Sequence, residues 1–473
     1  MRRKGNKVDL LSYIRNGQEL SAKQKFSLVI KLSTPAVLAQ ITSIMMQYID
    51  ASMVGRMGAG ASASIGLVST TVWLFGGICS SGAAGFSIQA AQYIGAKKYE
   101  KAREVLRQAV AALLLFSFLL AAAGVAISFF LPVWLGGMKE IRRDASVYFL
   151  VYACSLPVMG MNRLAGSMLQ CSGNMKVPGI LNSLMCVLDV VFNAFLIFQG
   201  FDFSFLGIHV VIPRAGLGVL GAALGTALAQ FVTACLMLYF LCFRSPILRL
   251  QRGEHTKMQA ECIKRAVRIS APIAFEHCVV CGAMIAATKI VAPLGIISIA
   301  ANSFAVTAES LCYMPGHGIA DAATTLVGQS VGAVRDKLAL SFGRITVGCG
   351  MAMMACTGTL MFFAAPFMIG ILTPDPEVQA LGARILRIEA FAEPLYGASI
   401  VATGVLRGAG DTLVPSIMNF VSMWAVRLPL SFLLSKSYGL TGVWIAMCVE
   451  LCFRGMIFLV RIGRKKWLLI KKS

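Results

Sequence analysis

From Ala109 to Leu135 the chain reads AVAALLLFSFLLAAAGVAISFFLPVWL, without one charged side chain. A second run of this kind, VGCGMAMMACTGTLMFFAAPFMIGIL, ends at Leu372. About 20 such residues, wound as a helix, cross the hydrocarbon core of a bilayer. In lipid, every backbone polar group must find its partner inside the protein, so only helices and closed barrels are allowed. A barrel would show alternating strands of about ten residues, and none is visible. Composition agrees: 57% of the residues are hydrophobic and only 14% charged, against about 25% charged in a soluble domain.

The pattern predicts twelve spans, near 28–54, 62–91, 108–135, 146–169, 177–199, 217–243, 267–291, 296–327, 345–372, 380–406, 413–435 and 440–462. The expected fold is therefore an all-α integral membrane protein. The first 25 or so residues are polar and show no cleavable signal peptide. Their place is a segment, 1–26, ahead of the first span.

The net charge of +22 invites a nucleic-acid reading, which its distribution opposes. Arg2, Arg3, Lys4, Lys7, Arg15, Lys23, Lys25 and Lys31 precede span one. Lys97, Lys98, Lys101, Arg103 and Arg107 follow span two, and Arg244 to Arg268 lie between spans six and seven. Arg335, Lys337 and Arg344 follow span eight, and Arg461 to Lys472 close the chain. With twelve spans all of these fall on one side. The opposite loops hold few cations: Arg56, Lys139, Arg142, Arg143, Arg214 and Lys436. This is the positive-inside pattern, with both termini cytoplasmic, a basic face against anionic lipid, and no nucleic acid.

The chain also repeats itself. CSGNMKVPGILN from Cys171 returns as GAGDTLVPSIMN from Gly408, 237 residues later. At the same offset KLSTP from Lys31 returns as RISAP from Arg268, QYIGA from Gln92 as QSVGA from Gln329, and Pro157 as Pro394. After span five the offset drops to 221, matching GVLGAAL from Gly218 with GLTGVWI from Gly439. The first half thus holds 16 extra residues, within Gly200 to Gly216, where a small hairpin is expected. Six spans per copy make these parallel repeats about an axis along the membrane normal. The expected domains are an N-lobe, 27–243, a cytoplasmic linker, 244–266, a C-lobe, 267–462, and a basic tail, 463–473. The repeated phrase reads as a tight turn: Gly173 and Gly410 permit it, Asn174 and Asp411 cap the next helix, and Pro178 and Pro415 sit in that helix's first turn. Most of the 14 cysteines lie in apolar spans and read as small hydrophobes. Cys278 and Cys281 form a CxxC inside span seven, where packing is the expected role.

On PAVLAQITSIMMQYIDASMVGRMGAGASASIG (with Pro35, Asp50 and Gly55), QYIGAKK, LVGQSVGA, CSGNMKVP and GVLRGAGDTLVP, the chain resembles the multidrug and toxic compound extrusion (MATE) transporters over about residues 25 to 462. The resemblance implies two six-helix lobes around a V-shaped cavity and efflux of organic, often cationic, compounds by antiport with protons or sodium ions. No cofactor beyond the coupling ion, a monomer, and a bacterial inner membrane are expected. It also implies a cation site from an acid on span one, an Asn and an Asp four apart on span five, and a Thr on span six. Asp50 and Thr226 match. Span five reads LDVVFNAF, with Asp189 first and Asn193 second, reversing the usual order. Residues four apart share a helix face, so both can still face one site, with the charge displaced by one turn.

Ionisable residues inside the membrane are functional candidates by default. At 1.5 Å per residue Arg163 and Asp189 both sit ~15 Å from the cytoplasmic face, so a pair is expected. Asp189 is then a permanent counter-ion and Asp50 the proton carrier. Glu393 and Arg427 reach ~20 Å by the same arithmetic and are expected to form the mirror pair. Glu276, Glu309, Asp321 and Glu389 are further C-lobe acids, with Glu276 and Asp321 at similar depth and able to share a proton. His277 and His317 read as packed residues. Two other classes fit less well. A lipid-linked oligosaccharide flippase of related architecture would be expected to have more spans and a strongly cationic cavity. A membrane-embedded enzyme would need a nucleotide loop, HExxH or GxSxG, and none is present.

Overall fold

A computed structural model describes residues 10–55, 57–197, 199–205, 208–251, 259–465 and 467–468. Arg2 to Lys7, Arg56, Arg252, Lys257, Lys466, Lys471 and Lys472 lie outside the described residues. The chain is two six-span lobes. The first comprises α2 (Ala22–Gly55), α3 (Ala59–Gly95), α4 (Tyr99–Ser128), α6 (Lys139–Cys171), α7 (Lys176–Ile197) and α8 (Val219–Tyr239), with a short α5 (Leu131–Trp134). The second comprises α9 (Ala260–Val291), α10 (Ile296–Gly332), α11 (Asp336–Leu372), α12 (Pro376–Glu389) with α13 (Glu393–Ala409), α14 (Leu413–Val421) and α15 (Leu428–Gly463).

Ten helical stretches are long and apolar enough to cross a bilayer among the described residues, and one of them, Leu413–Gly463, is 51 residues long. It contains two spans, because Gly439 (φ 58) breaks the helix within it. The remaining span is split into α12 and α13, each too short to be counted alone. Twelve spans result.

The repeat is written into the backbone. Gly58 and Gly295 have φ of 112 and 98, Gly173 and Gly410 of 93 and 91, and Lys97 and Val334 of 59 and 57. Each pair is 237 apart. Gly218 and Gly439 share φ 58 at the shorter offset of 221. Between these two registers lies an antiparallel hairpin, β1 (Gln199–Phe205) with β2 (Ile208–Ala215), which accommodates the extra residues.

Helix boundaries differ from expectation at several places. The segment ahead of span one is not merely polar: α1 (Leu10–Arg15) buries Leu11 and Ile14, and α2 already begins at Ala22. Leu11, Ile14, Leu28, Val29 and Leu32 join a core with Leu326, Val327 and Val405 of the second lobe. Arg335 Nη1 fixes α1 by donating to the carbonyls of Tyr13, Ile14 and Gln18 at 3.1, 3.4 and 2.8 Å. Asn174 accepts from Val177 N–H as a cap should (3.3 Å). Asp411 does not play that part: its carboxylate pairs with Arg461 at 2.7 Å, where both partners carry charge, whereas a helix cap offers only a neutral N–H as donor.

The lobes interlock most closely where the two QxxG turns meet. A Cβ on Gly95 would lie 2.0 Å from the carbonyl oxygen of Gln329, and one on Gly332 would lie 2.0 Å from that of Gln92. Only glycine allows backbones this close. Gln92 Nε2 donates to the Gly408 carbonyl (3.3 Å), and Gln329 Nε2 donates to the Cys171 carbonyl (2.8 Å).

Candidate coupling sites

In the first lobe α7 turns Asp189 and Asn193 to one face, toward α2 and α8. Asn193 Nδ2 donates to Asp50 Oδ1 at 3.1 Å and to Asp189 Oδ2 at 3.3 Å, so one amide bridges two carboxylates. Asp189 and Asn193 are buried and Asp50 half-buried. Asp189 Oδ1 and Asn193 Oδ1 are buried without a hydrogen-bond partner. Thr226 adjoins Asp189 while its hydroxyl donates back to the Ala222 carbonyl at 3.2 Å. Gly225 makes the contact between α7 and α8 possible: a Cβ there would stand 2.1 Å from Asn193 Oδ1. The reversed order of Asp and Asn therefore still builds one site, because both positions lie on one helical stripe.

Arg163 does not pair with Asp189. It is exposed at the lobe interface, where its charge acts on His277 and Asp321 of the other lobe. The difference is one of rotation: α6 packs mainly on α3, α4 and α8, whereas α7 packs mainly on α2 and α8, so the two side chains point into different spaces.

Glu276 does not pair with Asp321. Arg407 Nη2 donates to Glu276 Oε2 at 3.0 Å, Ser416 Oγ donates to the same oxygen at 3.1 Å, and Asn419 Nδ2 donates to Oε1 at 2.9 Å. Arg407 ends its helix near the basic face, but the long side chain reaches back to the carboxylate. Asp321 instead feels Arg163 and Arg407 from either lobe. His277 packs against α3, where a Cβ on Gly77 would lie 2.6 Å from its ring.

The second lobe holds a separate acidic group. Glu389 closes α12 and Glu393 opens α13, on either side of the break at 390–392. Pro394 has no N–H to donate and suits the first turn of a new helix; its mate Pro157 is absorbed inside α6. Glu389 and Glu393 are fully buried, and all four of their carboxyl oxygens lack a hydrogen-bond partner. Glu309 on α10 is buried beside them. Glu393 does not pair with Arg427, which donates to Met447 Sδ. Arg427 lies in a π-helical turn, 422–427, from which its charge reaches Glu309 and Glu389 rather than pairing with Glu393.

Sequence reasoning missed a bidentate ion pair. Arg454 donates from Nε and Nη2 to the two oxygens of Glu450 at 2.8 and 2.7 Å. Ser422 Oγ donates to Glu450, and Arg454 lies over the Tyr396 ring at 5.7 Å. The signal was present: an acid and an arginine four apart inside an apolar span satisfy each other on one helix face.

The MatE family model matches this chain twice, over residues 35–195 and 272–433. The two matches begin 237 residues apart, the internal repeat again. The chain is 25% identical over 442 residues to a probable multidrug resistance protein NorM of Thermotoga maritima, covering 93% of this chain and 92% of that one. It is 25% identical over 452 residues to a protein of the same description from Bacillus anthracis, covering 93% and 96%. Among solved structures, a MOP superfamily transporter from Pyrococcus furiosus superposes with a TM-score of 0.88 at 17% identity, over 98% of this chain and 99% of that one. The Vibrio cholerae MATE transporter VcmN in its bent form gives 0.83 at 18% identity, over 94% and 97%. At such identities the structural likeness concerns the fold. The two matched halves, one in each lobe, place this chain in the MATE family of multi-pass membrane transporters, and it is not an enzyme.

Proposed function

We propose that the chain is a secondary antiporter that exports organic, often cationic, compounds in exchange for protons or sodium ions. One observation carries the reading: a single amide, Asn193, bridges the carboxylates of Asp50 and Asp189, with no arginine or lysine among the described residues bonded to either. Two carboxylates brought together in a low-dielectric interior do not both stay ionised without a positive counterpart. A proton shared between them supplies it. So does a sodium ion, for which Asp50, Asp189, Asn193 Oδ1 and the Thr226 hydroxyl are hard oxygen donors of the kind such cations take. The coupling ion is cargo, and no prosthetic group is needed.

Loading this site changes the charge between α2, α7 and α8, and α2 also packs along α10 of the other lobe. That is a route from ion binding to the rocking of one lobe on the other. The names of the NorM relatives support drug export. Mixed charge at the lobe interface, with Glu276 and Asp321 beside Arg163 and Arg407, favours organic cations over the anionic cargo of a lipid-linked oligosaccharide flippase. The distribution of basic loops supports an orientation with both termini in the cytoplasm.

The test is efflux of a fluorescent cation from vesicles under separately imposed proton and sodium gradients. Uptake or release driven by either gradient supports antiport and names the ion. Transport that ignores both gradients overturns it.

A further inference from the structure

At the seam between the lobes, around the two QxxG turns, lies a cavity of about 710 Å³. Among the described residues its charged lining is wholly cationic: Arg15, Lys97, Lys98, Arg265 and Arg335. Both lobes contribute, since Lys98 and Arg335 are repeat mates 237 apart. The cavity therefore straddles the axis that relates the halves. Two of its cations are already fixed. Arg265 Nη2 donates to Gln92 Oε1 at 2.7 Å and lies over the Tyr93 ring at 5.9 Å. Arg335 holds the end of α1. By contrast Arg15 Nε is buried without a hydrogen-bond partner, and Lys97 and Lys98 are exposed toward the cavity mouth. The backbone is strained on both sides, with Lys97 at φ 59 and Val334, a β-branched residue, at φ 57. A β-branched residue there is a genuine outlier.

Positive-inside bias alone spreads cations over a face. It does not gather five around one open-mouthed cavity and leave a guanidinium nitrogen buried and unpartnered. The geometry points to a binding site for a phosphate-bearing anion, taken either from the headgroup of an anionic lipid or from a soluble phosphate compound. Arginine forks and lysine ammonium groups are the donors such a ligand needs. A bound anion would touch Lys97 and Lys98 of the first lobe and Arg265 and Arg335 of the second, and so tie the two together at this end. This inference is independent of the coupling ion and of the exported substrate.

The test uses the full-length protein and inorganic pyrophosphate, with binding followed by calorimetry in neutral detergent. We expect saturable binding by the wild type. It should weaken about tenfold or more in Arg15→Gln/Lys97→Gln/Lys98→Gln, from lost charge-assisted contacts. It should persist in Lys101→Gln/Lys337→Gln, which removes two nearby exposed charges outside the cavity. Should the triple variant fail to fold, Lys97→Gln and Lys98→Gln are measured singly, both being exposed. Nanodiscs then separate the sources. Pyrophosphate affinity that falls when phosphatidylglycerol replaces part of the phosphatidylcholine assigns the site to lipid; affinity unchanged by lipid assigns it to a soluble anion. Absence of saturable pyrophosphate binding in detergent, or equal loss in the Lys101→Gln/Lys337→Gln control, overturns the proposal.

Discussion

Gln92 and Gln329, 237 residues apart, make the same bond in opposite directions across the lobe interface. Gln92 of the first lobe donates to Gly408 of the second, and Gln329 of the second donates to Cys171 of the first. Cys171 and Gly408 are themselves repeat mates. The internal duplication has become a reciprocal latch, seated on two glycines that let the backbones touch.

Adding a methyl group at Gly95 or Gly332 should be more damaging than losing a glutamine bond. Each Cβ would meet a backbone carbonyl at 2.0 Å, and backbone cannot rotate away. Gly332→Ala should therefore lower the melting temperature and abolish transport. Gln329→Leu should cost only about 1–3 kcal/mol, the penalty of an unpaired buried carbonyl. Thermal melts of both variants decide the order; a Gly332→Ala protein as stable as the wild type refutes the close-packing account.

Asp50→Asn and Asp189→Asn should each abolish gradient-driven efflux while leaving expression and folding intact, because an amide still accepts from Asn193. Removing Arg163 should give no relief to Asp189→Asn, since the two side chains do not pair. Efflux from Asp189→Asn/Arg163→Gln that recovers toward wild type would show that the pair forms after all.

Gly225→Ala places a methyl group 2.1 Å from Asn193 Oδ1. Asn193 must then swing out of its bridge. Transport should fall by at least tenfold, with a smaller loss of stability than Gly332→Ala, because a side chain can give way where a backbone cannot. Wild-type efflux in Gly225→Ala would argue against the bridging amide.

Glu450→Gln leaves Arg454 buried without its counter-charge, a loss of about 3–5 kcal/mol. The double variant Glu450→Gln/Arg454→Met should regain much of that stability, as apolar replacements of buried ion pairs often do. The comparison of three melting curves measures it. A double variant no better than Glu450→Gln would mean that the pair has a further role, with Ser422 and Tyr396, beyond mutual neutralisation.

Span number, the doubling, the hairpin in the first copy and the glycine turns could be read without coordinates. Each depends on local sequence: apolar length against bilayer thickness, a fixed offset, φ > 0 at Gly173 and Gly410. The Asp50, Asn193, Asp189 and Thr226 constellation was legible too, through resemblance and the four-residue spacing on α7. Charge pairing was not. Depth along a helix follows from counting residues, but the azimuth of Arg163, Glu393 and Arg427 depends on which neighbours each helix packs against and on the π turn at 422–427. Only the tertiary structure sent Arg407 to Glu276, left Glu389 and Glu393 unpartnered at a helix break, and brought the five cations at the seam together. An ion pair in a membrane interior is decided by a few ångströms and a rotation, and neither is written in the spacing of the residues.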